Sequence, residues 1–381
     1  MKRTIITIMV TILVLAMLLS SCTQTPSEQP EQTPAPVADA AQDQNAPNND
    51  NSAKSLVEIY GGIGYDPIYV EASDFDIGTS SKPLNIAVAA GTVGSGFFKI
   101  IVDMMTEVME ANNAKVLLAD ANNSFETQTN QIENFITQKV DGMIVNSCDP
   151  PSTISEVLQK AAEANIPVIA VDSALDSNFH NYLGMVGSDN YNLGFGVGQY
   201  IGNEFVKANG SLDCTVAVLD GVEGNAVAKA RYDGFWDGIK SVDPNANIEE
   251  VSHLYGGSWT EEAGIKMAGD LFVAHPDVDI IFGISDPFVV GAVAEAERKS
   301  IEGVTMGAVD GAKSAMKIIF DGGVVKAIGL NDPIRMGRAA ASAMLSYLNT
   351  GYVPSSKMMM LNPITATPEN INELYDPDSP F

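Results

Sequence analysis

A chain of 381 residues, 45% of them hydrophobic, can bury a sizeable core and is long enough for two domains. Its formal net charge of −27 leaves no basic stripe to neutralise phosphates, which excludes nucleic acid as a partner. With three cysteines in all, a disulfide framework is excluded as well.

The chain opens with Lys2 and Arg3, an apolar run from Ile5 to Leu19, and then Ser20-Ser21-Cys22. A basic start, a short apolar stretch and small residues at a cleavage point mark residues 1–21 as a secretory signal peptide. The apolar run, about 15 residues, is shorter than the roughly 20 that a membrane-spanning helix needs. A cysteine directly after the small residues is the bacterial lipoprotein pattern, in which Cys22 is acylated and becomes the mature N-terminus. The competing reading is an uncleaved anchor with an incidental cysteine. The predicted location is therefore outside the cytoplasm, in the periplasm or on the outer face of the cytoplasmic membrane, held there by lipid. Residues 22–54 are rich in Pro, Gln, Asn, Ala and Asp, cannot bury enough surface to offset their ordering entropy, and read as a disordered tether. Residues 55–83 carry Tyr60, Tyr65 and Tyr69 among glycines, and read either as linker or as an extension packed on the domain surface.

From Leu84 the chain alternates between strand-like and helical patterns. Apolar runs predict strands at Leu84–Ala90, Ala114–Ala119, Gly142–Asn146, Pro167–Asp172, Leu183–Gly187, Thr215–Asp220, Asp279–Ile284, Val304–Asp310, Val324–Leu330 and Met358–Leu361. Between them lie amphipathic stretches such as Ser124–Lys139. Thr153-Ile154-Ser155-Glu156 has the capping-box spacing and predicts a helix running to Ala164; Ser258-Trp259-Thr260-Glu261 has the same spacing. Continuous apolar strands alternating with helices mean parallel sheets covered on both faces. About ten strands over about 290 residues suit two sheets better than one. Cys148 and Cys214 fall at opposite ends of such strands and are expected to remain thiols rather than pair with each other.

Ligands of open α/β sheets bind beyond the carboxyl ends of the strands. Those ends carry Gly91-Thr92-Val93-Gly94-Ser95-Gly96-Phe97-Phe98, then Asp120, Asn146, Asp172-Ser173, Asp220, Ser285-Asp286, Asp310 and Asn331-Asp332. Carboxylates and amides exchange hydrogen bonds with hydroxyls, and aromatic faces pack on the apolar face of a sugar ring. Together they suit a neutral polyhydroxylated ligand. Other chemistries find no support. Gly194-Phe195-Gly196-Val197-Gly198 lies mid-helix, where small residues allow close packing, and lacks the strand-turn-helix context of a dinucleotide site. His180, His253 and His275 have no metal-ligand spacing, and Met358-Met359-Met360 reads as a core strand near a hinge rather than a copper site. No motif appears with the context that nucleophilic catalysis requires, so no enzyme, cofactor or metal is implied.

Residues 84 to about 365 resemble the periplasmic sugar-binding proteins of ABC importers, of the ribose-binding type. Gly96-Phe97-Phe98 resembles the aromatic turn after the first strand. Asp141-Gly142-Met143-Ile144-Val145, Ile166–Asp172, Val186–Asn190, Ala230–Phe235, Ala274–Val278 and Gly307–Gly311 are similar to further family segments, in family order. The resemblance implies an α/β architecture: two doubly wound, Rossmann-like parallel-sheet lobes joined by a three-segment hinge, the type I periplasmic-binding-protein fold. The N-terminal lobe is expected at 84–187 plus 332–361 and the C-terminal lobe at 188–331 plus 362–375.

The family's roles transfer position by position. Phe97, Phe98 and Trp259 would pack on the sugar ring. Asp172, Asp310 and Asn331 would bond to hydroxyls, and Arg231 would donate a two-bond fork. Asp286 would lie beside the pocket. Ser95, Ser173 and Ser285 stand where the ribose-type pattern has Asn, Arg and Asn, so the pocket should be roomier and poorer in donors. Ser173 and the stretch Gly329–Pro333 are also similar to members that bind deoxysugars or autoinducer-2. Each residue has a plainer reading too: Asp310 and Asp286 as helix caps, Arg231 as partner of Asp233, Trp259 as a helix staple, one of the two phenylalanines as core. The resulting expectation is a monomeric, non-enzymatic binding protein. It would close by hinge motion on a monosaccharide or related polyol and deliver it to an ABC permease. The rival readings are a sensory module serving a chemoreceptor or sensor kinase, and a surface carbohydrate-active enzyme.

Overall fold

The computed structural model describes residues 56–148 and 151–381; the leader, Cys22 and the predicted tether lie outside the described residues. The first lobe begins with α1 (Leu56–Gly61) and β1 (Ile68–Val70), and continues through β2 (Leu84–Ala90), α2 (Gly96–Ala111), β3 (Ala114–Asp120), α3 (Phe125–Gln138), β4 (Gly142–Asn146), α4 (Ser155–Glu163), β5 (Val168–Val171) and β6 (Gly184–Ser188). The chain then crosses into a second lobe: α5 (Asn190–Asn209), β7 (Cys214–Asp220), α6 (Ala226–Val242), β8 (Ile248–Tyr255), α7 (Glu261–Ala274), β9 (Ile280–Gly283), α8 (Asp286–Lys299), β10 (Thr305–Asp310), α9 (Lys313–Phe320) and β11 (Val325–Leu330). A second crossing returns it as α10 (Pro333–Thr350) and β12 (Met358–Leu361), and a third delivers β13 (Thr365–Ala366) and α11 (Ile371–Leu374) to the second lobe.

The first sheet has the order β1-β12-β6-β5-β4-β2-β3, every pairing parallel; the second has β13-β11-β10-β9-β7-β8, parallel except where β13 runs against β11. Each order reverses once, between β2 and β4 and between β7 and β9. Such switch points open a crevice at the carboxyl ends of the strands. Strand β2 shows why its apolar run was continuous: Ile86, Val88 and Ala90 face the layer of α2 and α10, while Ala87 and Ala89 face α3 and α4.

Helices α5 and α6 cross with their backbones in contact. A Cβ on Gly198 would stand 2.1 Å from the Phe235 carbonyl oxygen. Gly198→Ala is therefore expected to lower stability by about 1–3 kcal/mol in urea titration, through overpacking that outweighs the better helix propensity of alanine.

Several local expectations are corrected. Residues 151–154 form a 3-10 turn, and α4 starts behind Ile154 without a side-chain cap, so Thr153 opens no capping box. At α7 the cap is Thr260, whose hydroxyl accepts from the Ala263 N–H, and not Ser258. Strand β8 escaped sequence reading because it is a sheet edge with a half-exposed, polar pattern, Ile248-Glu249-Glu250-Val251-Ser252-His253-Leu254-Tyr255. The segment before Leu84 supplies an edge strand, β1 on β12. Residues past Tyr375 also continue as ordered chain, crossing from the second lobe toward α2.

Candidate functional site

Asp310, the last residue of β10, is the hub of a polar cluster at the strand ends of the second lobe. Its Oδ1 lies 2.9 Å from Nη2 of Arg231 and accepts from Asn331 Nδ2 at 3.3 Å. Its Oδ2 accepts from the Ser285 hydroxyl. Arg231 is buried on α6; its Nε donates to Asn190 Oδ1 at 2.8 Å and its Nη1 to the Ile284 carbonyl at 2.9 Å. Two of its five N–H donors are thus held by protein, and its charge is balanced by Asp310. Asp286 lies behind this cluster, fully buried, with Oδ2 accepting from the Gly311 and Ala312 N–H groups at 2.7 and 2.5 Å. Burial, and secondarily the neighbouring Asp310, raises its pKa well above the usual carboxylate range.

On the facing lobe, Asp172 directly follows the last residue of β5 and Ser173 comes next. The Ser173 hydroxyl donates to Asp172 Oδ2 at 3.0 Å. Asp172 and Ser173, the crossing residues Ser188, Asp189 and Asn190, and Asn225 at the start of α6 line one cavity of about 820 Å³. That volume falls within the about 300–1,000 Å³ of small-molecule sites. Asn190 joins the cavity to Arg231 and so to the Asp310 cluster. Asp172 and Asp310 both have positive φ, 68° and 140°. Such backbone is costly for non-glycine residues and is retained where surroundings demand a particular side-chain direction.

The remaining candidates divide. Phe98 lines a small void with Val88, Ala90, Ile101 and Asn146 and belongs largely to the core, whereas Phe97 meets Phe98 and Phe381 edge-on, at 5.4 and 5.7 Å between ring centroids. Ser95 caps α2, its hydroxyl accepting from the Phe98 N–H at 3.3 Å. Trp259 is stacked on Phe288 at 5.8 Å and covers Gly221, so it is not a staple on its own helix. Asp233 pairs with Lys229, which disposes of it as a partner for Arg231. Asp120 turns back on the Asn122 N–H, and Asp220 bonds Gly221 N–H and His253. Sequence reasoning missed Asn190, Asn225, Gln128 and Phe381. Gln128 is fully buried and ties the ends of β2 and β4, donating to the Ala89 and Asn146 carbonyls and accepting from the Cys148 N–H. Nothing in the local pattern distinguishes it from the polar face of α3. Asn190 and Asn225 were readable only as cap-type residues, and Phe381 only as a terminal aromatic.

Residues 86–351 match the family described as "Periplasmic binding protein domain". The chain belongs to this family. Among members of known role, the ribose import binding protein of Bacillus subtilis is 26% identical over 242 residues, 64% of this chain and 74% of that protein. The galactofuranose-binding protein of Escherichia coli is 25% identical over 300 residues, 76% of this chain and 91% of that protein. A solute-binding protein of an ABC transporter from Mycobacterium smegmatis, solved with bound glycerol, is 26% identical, with a TM-score of 0.66 covering 78% of this chain and 99% of that one. The two-lobed arrangement of parallel sheets is the type I periplasmic-binding-protein fold. The family match takes in all the candidate residues named above except Phe381, and leaves out the chain before residue 86 and after residue 351. Among the described residues no helix is long and apolar enough to cross a membrane.

Proposed function

We propose that this protein is the substrate-binding lipoprotein of an ABC sugar importer, anchored through Cys22, that holds a neutral monosaccharide-like ligand between its lobes and hands it to a membrane permease. The observation that carries this reading is the shared cavity: Asp172 and Ser173 of the first lobe and Asn190 and Asn225 of the second line one space, and Arg231, which bonds Asn190 behind it, is already neutralised by Asp310. A balanced site favours hydroxyls over anions, because an anionic ligand would have to displace Asp310 from its guanidinium. The names of the relatives, import proteins for ribose and a binder of galactofuranose, point the same way. Contacts from both lobes favour the closed form, so ligand shifts an open–closed equilibrium.

The test is a thermal-shift screen of the mature protein against pentoses, hexoses, furanoses, deoxysugars, polyols and autoinducer-2, since bound ligand raises the melting temperature by mass action. For whichever compound binds, Asp172→Asn should weaken affinity about tenfold or more, as expected for loss of a charged hydrogen bond of about 1.5–3 kcal/mol. Asparagine tolerates the positive φ of this position, so the melting temperature without ligand should hardly move. A panel without any binder, or an unchanged affinity in Asp172→Asn, would count against the reading.

A further inference from the structure

The segment before Leu84 touches every crossing between the lobes. Strand β1 lies parallel on β12, with Tyr69 beside Met360 and Val70 beside Leu361. Tyr69 Oη donates to Asp189 Oδ2 at 2.7 Å, in the first crossing, and accepts from Asn192 Nδ2 of the second lobe at 3.1 Å. Two residues on, the Glu71 carboxylate receives both Nε and Nη2 of Arg335, one turn beyond the second crossing. It also accepts from Asn362 Nδ2, in the third crossing, at 3.1 Å. Arg335 Nη2 in turn donates to the Asn362 carbonyl at 3.1 Å. A one-turn helix holds Glu71 in place, its N–H donating to Asp74 Oδ2 at 2.7 Å. Burial raises the Glu71 pKa, but the bonds from Arg335 and Asn362 outweigh that and hold the carboxyl below its ordinary range. This segment lies outside the matched family domain, which begins at residue 86.

We propose that residues 68–71 are a hinge brace: a fourth strand of connection that ties the three crossings together and sets the rest angle between the lobes. Hinges work through a few residues at element ends that absorb changes in φ and ψ. Here those residues share two side chains, so they cannot rotate independently. The brace holds the lobes in the arrangement in which residues of both lobes line the cavity and Phe381 reaches Phe97. It thereby spares the ligand part of the work of closure, which raises apparent affinity. The inference rests on the proposed ligand-binding function for its effect on affinity, but not for its effect on lobe separation.

Spin labels on Glu126→Cys and Glu262→Cys, at the exposed starts of α3 and α7, report that separation by pulsed electron resonance. In the mature ligand-free protein, Tyr69→Phe/Glu71→Gln should broaden the distance distribution toward larger values, and it should weaken ligand binding about tenfold, mainly through faster release. A merely structural role would lower the melting temperature and leave the distances unchanged. Single variants should show intermediate distributions. Unaltered distances in the double variant would overturn the brace, whatever the ligand result. If the parent protein binds no sugar, the proposed function fails, while the distances still decide the brace.

Discussion

Arg231→Met should destabilise the protein by about 3–5 kcal/mol, the range for removing one partner of a buried ion pair. The methionine fills most of the arginine volume, so the loss is electrostatic rather than a cavity. It strands Asp310 beside Asp286, in a place where burial already raises the proton affinity of Asp286. It also deprives Asn190 Oδ1 and the Ile284 carbonyl of their donor. Urea titration at neutral pH is the measurement. Adding Asp310→Asn to the arginine variant should recover part of the loss, because the stranded charge is gone. Losses that simply add would show that the pair is not coupled.

The second large effect concerns Lys357, which is fully buried behind the hinge strand β12. Its Nζ donates to the Tyr182 carbonyl at 2.7 Å and sits 5.0, 5.4 and 5.9 Å from the ring centres of Tyr182, Tyr60 and Tyr65. With no carboxylate among these contacts, burial pushes its pKa down to about 8. The unfolded chain keeps the ordinary value of about 10.4. Between those values the unfolded state binds a proton that the folded state does not, so stability from this group rises with pH across the window. Relative to Lys357→Met, the parent protein should therefore gain up to about 3 kcal/mol as pH goes from 7 to 11. Chemical denaturation of both proteins at several pH values isolates the effect, since other groups cancel in the difference. A flat difference would mean that the rings stabilise the ammonium enough to offset its desolvation.

The strands whose limits were read most sharply are covered on both faces. The boundaries of β2, β4 and β12 follow directly from runs of apolar residues, because a covered parallel strand has no solvent face to interrupt the run. Edge strands carry a weaker signature: β3 still shows in its apolar residues, whereas β8 is broken up by Glu249, Glu250, Ser252 and His253 and β1 is only three residues long. Helix starts were less legible. Several Ser and Thr residues near one start satisfy the capping pattern equally well, and the backbone geometry chooses among them, as at Thr260 over Ser258. Within the candidate site, Asp172, Ser173, Asp310 and Asn331 stand out in the sequence as candidates because strand ends are recognisable. Their division of labour could not be read, since Arg231 spends donors on Asn190 and the Ile284 carbonyl and its charge on Asp310, and the Ser285 hydroxyl donates to Asp310 rather than standing open to a ligand.

Composition and periodicity alone establish the alternation of strands and helices, the polar character of the strand ends and the lack of a nucleophile motif. All of these are local properties, carried by neighbours within a turn or a strand. What joins Glu71 to Asn362, 291 positions away, or Lys357 to Tyr182, 175 positions away, is the order of strands in a sheet and three crossings of the chain. That order decides whether a charge is paired, caged by rings or offered to a cleft. Coulomb and desolvation energies depend on distances that no window of sequence contains.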